Sequence, residues 1–269
     1  MIKLIASLLL VIFTSQVTAQ FAAELDPFWD DREEDSKMLV DHSAWQSFLT
    51  KYVDDQHPSG INRVDYSGVS RSDYRAIESY LDYLQSLDPR QLNSLEQKAY
   101  WINLYNASTV FLVLQEDDDL RSIRQIRSGF LTPGPWERKI FSITLQSLSL
   151  DDIEHRILRP IWQDSRIHYA VNCASLSCPN LPKTAFTAAN VEAMLDSAAK
   201  EYINHPRAVA RINGTLKLSK IYQWYADDFG QSTEGLYNHL RKYASPETQL
   251  LLEPFRRPEF EYDWALNRP

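Results

Sequence analysis

Ser94-Leu95-Glu96-Gln97-Lys98-Ala99-Tyr100-Trp101-Ile102-Asn103-Leu104-Tyr105-Asn106-Ala107-Ser108-Thr109-Val110-Phe111-Leu112-Val113-Leu114 decides the fold class. Ser94 with Gln97 has the spacing of a capping box, so the segment predicts a helix from Leu95 to about Leu114. Trp101, Ile102, Leu104, Tyr105, Val110, Phe111, Leu112 and Val113 cover every side of that helix. A helix that is apolar all round needs other elements on all sides and belongs at the centre of a domain. Asn103 and Asn106, three apart, share one of its faces. Buried amides need hydrogen-bond partners, so the pair either pins neighbouring loops or lines a site.

Shorter elements surround this helix. Trp45, Phe48, Leu49 and Tyr52 recur at helical spacing within His42 to Asp55, as do Ile77, Tyr80, Leu81 and Leu84 within Ser72 to Leu87. Ile61 to Val69 and Lys139 to Leu145 alternate and predict extended pieces. Ser149 with Asp152 caps a helix from Leu150 to Ile161. Arg166 to Asn172 has the apolar density of a buried strand, and Val191 to Ile203 is helical. Asn213-Gly214 between two alternating runs is a two-residue hairpin signal. Ser219 caps an aromatic helix ending near Phe229, and another helix runs from Thr233 to Tyr243. These pieces predict one mixed α+β domain, a central buried helix packed on a small, mostly antiparallel sheet.

The ends are of a different kind. Lys3, the apolar run Leu4 to Phe13 and the small residues Val17-Thr18-Ala19 have the order of a cleavable secretory signal over residues 1–19. The apolar run is shorter than the ~20 residues of a membrane span, so the mature chain is expected to lack a span and to be exported to the periplasm or beyond. Residues 20–37 are acidic and without periodicity, a loose arm, which leaves 38–269 as the domain. The chain is 44% hydrophobic with a net charge of −8, and no basic stripe suggests nucleic acid as a partner. The expected ligand is a small molecule or a peptide.

Reactive side chains crowd between Asp151 and Cys178: Glu154, His155, His168, Asn172 and Cys173. An imidazole beside a thiol raises its thiolate fraction and later returns a proton. Strand alternation would set His168 and Asn172 on one side of Arg166–Asn172 and Cys173 on the other, leaving His155 as the freer partner for Cys173. Glu154 and His155 are adjacent, roughly 100° apart around a helix, and so address different groups. The two cysteines, Cys173 and Cys178, are also spaced to close a disulfide if the segment turns. No Cys-x-x-Cys or His-Glu-x-x-His pattern suggests a metal, and seven scattered glycines make no phosphate loop, so no cofactor is expected. Tyr222, Trp224, Tyr225 and Phe229 either line a groove or fill core.

The strings Tyr100–Ala107, Leu150–Arg159, Arg166–Cys173, Ser177–Pro179, Leu218–Tyr225 with Asp228-Phe229, and Tyr262–Asn267 occur in an order that resembles the domain of unknown function 547 family. The resemblance extends from about Ile61 to Asn267. It implies an exported single-domain protein of bacterial type, without an established activity. It also implies that cysteine is usual at the position of Cys173 but replaced at that of Cys178 in many plant members, so Cys173 has a role apart from a disulfide. Asn103, Asn106, Glu154, His155 and His168 belong to the same pattern.

Two functions remain open. In the first, a thiol-dependent hydrolase or acyltransferase of papain or transglutaminase kind, Cys173 is the nucleophile and His155 the base. Glu154, Asn103 and His168 orient groups or stabilise charge, and Asn106, Asn172 and Trp224 contact a peptide or envelope substrate. In the second, a binding or structural module, Cys173 and Cys178 form a disulfide. A metal-dependent hydrolase using His155 and His168 is a third reading.

Overall fold

A computed structural model describes residues 21–129, 132–253 and 257–269. The predicted signal at 1–19 lies outside the described residues. The elements, in order, are α1 (Ser43–Tyr52), β1 (Val53–Asp54), β2 (Arg63–Val64), α2 (Arg71–Ser86), α3 (Ser94–Leu114), β3 (Phe141–Ile143) and β4 (Gln146–Leu148). A π-helix, Asp152–Leu158, then runs into α4 (Arg159–Trp162). After α5 (Val191–Ile203) come β5 (Val209–Ile212), β6 (Thr215–Ser219), α6 (Ile221–Trp224), α7 (Thr233–Tyr243), α8 (Pro246–Leu251) and β7 (Glu259–Glu261). The class is α+β, dominated by helix. β1–β2 and β3–β4 are separate antiparallel pairs, and β6 joins antiparallel β5 to parallel β7.

The central helix is α3, and almost all its residues are buried. It packs on α2, α5 and the π-helix; helices, more than sheet, form its surroundings. Its cap is Asn93 rather than the expected Ser94: Asn93 Oδ1 accepts from the Glu96 N–H at 3.1 Å, while Ser94 Oγ accepts from Trp162 Nε1 at 3.2 Å. Glu96 is thereby free to accept from the backbone N–H groups of Val40 and Ala188. Fixing two distant loops to its first turn is what a buried carboxylate needs to be tolerated. A second apolar cluster, with Tyr202, Tyr222, Phe229, Tyr237 and Leu240, joins α5, α6 and α7.

Four local expectations are corrected. Residues 21–37 are strapped down rather than loose. Trp29 is 0% exposed and meets Trp101 edge-on at 5.1 Å, and the Glu24 and Asp26 N–H groups donate to the His155 and Arg156 carbonyls. A single indole buries enough apolar surface to hold an otherwise acidic stretch. Lys139–Leu145 is not one strand but the first arm of a hairpin, because Thr144 (φ 47°) and Leu145 (φ 66°) turn it back in the double left-handed geometry such hairpins require.

Arg166–Asn172 is not a strand. Asp164 Oδ1 accepts from the Arg166 N–H at 3.0 Å and opens a 3-10 helix, Ser165–Tyr169, whose local bonds use the groups a ladder would need. The aromatic helix expected to reach Phe229 stops at Trp224, and tight turns follow to Gly230. There φ is +97° and a Cβ would stand 2.7 Å from the Gly235 Cα, so glycine alone fits.

Candidate active site

One cavity of about 450 Å³ gathers most of the chemistry. Its walls come from α3 (Tyr105), the loop Thr132–Glu137, the helix carrying Asp151, Glu154 and His155, the segment His168–Pro179, α6 with Tyr225, and the C-terminal tail (Tyr262, Trp264). The π-helical turn matters here. The Arg159 N–H reaches back five residues to the Glu154 carbonyl, and the widened turn lets Asp151, Glu154 and His155 all face the same space. Such turns recur at functional sites because the extra residue re-aims side chains at the expense of ladder regularity.

Cys173 is partly exposed on this cavity, and both cysteines are free thiols, not the disulfide of the binding-module alternative. A tight turn presents the sulfur. Ala174 adopts φ +56°, a strained value for a residue with a Cβ. Asn172 Oδ1, accepting from the Ala174 N–H at 2.8 Å, and the Asn267 N–H, donating to the Ala174 carbonyl at 3.1 Å, hold it there. Cys173 Sγ lies 3.0 Å from the Tyr262 hydroxyl and 3.1 Å from Ser175 Oγ, and the two hydroxyl oxygens are 3.0 Å apart. Burial opposes the Cys173 thiolate, yet hydrogen bonds from Cys178, Ser175 and Tyr262 outweigh it and hold its pKa below that of an ordinary thiol. Burial pushes Cys178 far the other way. The Cys173 N–H donates to Cys178 Sγ at 2.8 Å, so the second cysteine serves as an acceptor within the turn.

Behind the cavity lies a buried charged network. Arg159 Nε and His168 Nε2 both donate to Asp228 Oδ2 at 2.6 Å, and burial of that carboxylate is overcome by these two partners, which hold its pKa well below the usual range. His168 stacks on Tyr225 with centroids 4.1 Å apart, and its Nδ1 is 3.7 Å from Glu154 Oε1. Glu154 also accepts from the Tyr105 hydroxyl at 3.0 Å. Burial disfavours its charge, but His155, His168 and Arg159 more than compensate and lower its pKa. Asp151, on the same wall, lacks such partners: burial, followed by the charges of Glu154, Glu137 and Asp152, raises it to about 7.

The expected site residues divide. Cys173, His155, Glu154, His168 and Trp224 line the cavity. No hydrogen bond joins His155 to Cys173; His155 Nδ1 instead faces Arg159 Nη1 at 3.1 Å. Asn103, Asn106 and Asn172 do not line it, because their amides are committed to backbone. Asn103 exchanges two bonds with Phe186, Asn106 joins the Ala170 carbonyl to the Asn172 N–H, and Asn172 donates to the Pro179 carbonyl. Asp151, Asp228, Tyr262 and Trp264 were not anticipated. Trp136, Trp224, Trp264 and Tyr262 form a continuous aromatic wall with centroids 4.6–5.6 Å apart. Among the described residues no three His, Cys, Asp or Glu side chains are grouped to hold a metal ion. His168 Nε2 is engaged by Asp228, and His155 Nδ1 faces Arg159. Nor is any described helix long and apolar enough to cross a membrane.

Residues 89–203, from the start of the α3 region through α5, match the family described as "Protein of unknown function, DUF547". No curated protein and no solved structure matches the chain.

Proposed function

We propose that this protein, a member of the DUF547 family through residues 89–203, is an exported cysteine-nucleophile hydrolase or acyltransferase acting on a peptide-like or envelope-derived acyl group. The observation that carries the reading is the state of Cys173: a partly exposed residue lining a cavity, its sulfur within hydrogen-bond reach of Tyr262 and Ser175, with a lowered pKa beside a Cys178 whose pKa is raised. Thiolates, not thiols, are nucleophiles. Export is read from the signal-like residues 1–19.

In the reaction, the Cys173 thiolate attacks the acyl carbon and a C–S bond forms. The bond to the amine or alcohol breaks as that leaving group gains a proton. Water, or an acceptor amine, then attacks the thioester, loses a proton, and the C–S bond breaks to restore the thiolate. The aromatic wall of Trp136, Trp224, Trp264 and Tyr262 would pack against the flat or apolar part of the substrate.

The test is alkylation with iodoacetamide, mapped by mass spectrometry between pH 5 and 9. Modification of Cys173 at least about tenfold faster than Cys178, persisting below the ordinary thiol range, supports the reading. Equal rates, or no reaction at Cys173 at pH 7, would overturn it. The aromatic wall would then favour a binding module, the second reading.

A further inference from the structure

We infer that Asp151, not His155, is the residue that gives and takes the proton in the reaction at this cavity. The inference rests on the thiol reading above and replaces the base expected from the Cys–His pattern.

His155 is committed as a donor. Its Nδ1 lies 3.1 Å from Arg159 Nη1, and a guanidinium can only donate. Nδ1 must therefore offer its lone pair, and the ring proton sits on Nε2. The ring is stacked on Phe21 at 5.4 Å, and Arg159 is itself anchored by Asp228 and the Phe21 carbonyl. Protonating Nδ1 would set two N–H groups against each other. Burial, with Arg159 and His168 acting against the help of Glu154 and Asp228, lowers the imidazole pKa accordingly. A neutral ring with no spare lone pair cannot remove a proton from water or a thiol. Its Nε2–H can only stabilise negative charge, such as the oxygen of a tetrahedral intermediate.

Asp151 has the opposite character. Its backbone N–H donates to the Trp136 carbonyl at 3.0 Å, which seats it in the cavity wall. Among the described residues no side chain donates a hydrogen bond to its carboxylate; the neutral His155 ring stands off, its Nε2 3.7 Å from Asp151 Oδ1. Its two acidic neighbours differ in this respect. Asp152 accepts from Ser149 and pairs with Lys139, while Glu154 accepts from Tyr105.

Asp151 thus faces Glu154 and Asp152 on its own helix and Glu137 on the adjoining loop. Lys139 acts in the other direction, and Arg124 and Lys220 belong to the same cavity lining. Burial and the three carboxylates leave it poised to titrate at about 7. Asp151 and Glu154, three residues apart, are pushed in opposite directions, which is how acid–base roles are separated between two carboxyls. Protonated, Asp151 delivers its proton to the departing amine or alcohol. Ionised by that step, it accepts the proton of the water that attacks the thioester, and the cycle closes with no other proton carrier.

The experiment uses the mature chain with p-nitrophenyl acetate, whose leaving group needs no proton from the enzyme. Wild type should release a burst of about one p-nitrophenolate per Cys173, then turn over at a rate limited by thioester hydrolysis and rising with pH through an inflection near 7. Asp151→Asn should keep the burst amplitude but lose about a hundredfold in the following rate, with the inflection gone. His155→Gln, which retains an N–H donor, should keep the inflection. If the burst is present but D151N turns over with the wild-type pH profile, the Asp151 inference fails alone. Absence of a burst in wild type overturns the thiol reading and this role with it. A substrate-free arm follows the Asp151 carboxyl carbon by NMR in carbon-13 aspartate-labelled protein, assigned by its loss in D151N. A midpoint near 7 supports the inference, and one below pH 5 overturns it.

Discussion

Asp228 Oδ2 accepts a hydrogen bond from His168 Nε2 at 2.6 Å, although the two residues lie 60 positions apart. The same oxygen binds Arg159 Nε, so one carboxylate joins the 3-10 helix to α4 and to the turns after α6. Asp228→Asn would leave Arg159, 3% exposed, without its counter-charge. Breaking a buried pair on one side typically costs about 3 kcal/mol, and a loss of that order in urea unfolding at pH 7 is expected. Because the Asp228 pKa is depressed in the folded chain, its contribution is complete above the unfolded value of about 3.9 and fades as pH falls further. The gap between wild type and D228N should therefore be flat from pH 7 to about 5 and close only in stronger acid. A gap that narrows already between pH 7 and 5 would refute this assignment.

Two histidines should give the acid limb of stability. Burial drives both His42 and His239 down to about 4. His42 Nδ1 is 2.6 Å from the Tyr80 hydroxyl, and its Nε2 is buried without a partner. Below the unfolded value of about 6.5 the unfolded chain binds protons that the folded chain refuses. Stability then falls toward pH 4 by up to about 1.4 kcal/mol per pH unit for each histidine. His42→Gln and His239→Gln should each flatten that slope in urea melts across pH 4–7. An unchanged slope in both variants would count against the neutral, buried state.

Trp29→Ala tests whether residues 21–37 are part of the domain. With a fully buried indole set against Trp101 and Phe28, truncation should cost about 4 kcal/mol. It should also speed proteolysis N-terminal to Val40. A loss below about 1 kcal/mol would make the segment the loose arm that its acidity suggests.

What was legible in the residues follows from how local each cause is. α3 is apolar on all sides, α5 and α7 keep helical spacing, and Asn213-Gly214 turns at φ 50° and 80° as such a pair should. Ser165–Tyr169 was not legible, because a short buried apolar run looks alike as strand or 3-10 helix until the Asp164 cap is seen. Thr144-Leu145 carries no glycine or asparagine to announce a hairpin. The cavity residues between Asp151 and Cys178 were findable by density of reactive groups. Asn103 is turned away from the cavity by a partner the residues around it do not announce, the backbone of Phe186, 83 positions away. Asp151 hid in the first turn of a helix, where an acidic residue is ordinary. Tyr262 and Trp264 stood in a recognisable tail whose destination no periodicity reveals.

Asn106→Ala separates support of the cysteine turn from contact with substrate. Its amide joins the Ala170 carbonyl to the Asn172 N–H at 2.9 and 2.8 Å, and loss of both leaves two buried backbone groups unsatisfied, at about 2–3 kcal/mol. Since Asn172 holds the strained Ala174, the iodoacetamide rate at Cys173 should fall several-fold along with stability. A variant as stable as wild type would show that the clamp is dispensable.

Tyr262 reaches Cys173 because the tail returns to the core: the Leu176 and Ser177 N–H groups donate to the Ala265 and Asp263 carbonyls at 2.8 and 3.2 Å. Burial and the neighbouring thiols raise the Tyr262 pKa well above its ordinary value, so the phenol keeps its proton and donates it to the sulfur. Tyr262→Phe removes that donor while keeping the ring against Trp224 and Trp264, at 4.8 and 4.6 Å. A hydrogen bond to a charged group is worth about 1.5–3 kcal/mol, and each 1.36 kcal/mol moves a pKa by about one unit. The midpoint of the Cys173 alkylation profile should therefore rise by about one to two units. Ser175→Ala should move it the same way, since Ser175 touches both the sulfur and the phenol. If neither variant displaces the midpoint, the thiolate is not held by these hydroxyls, and Cys173 would lack the activation that the proposed chemistry requires.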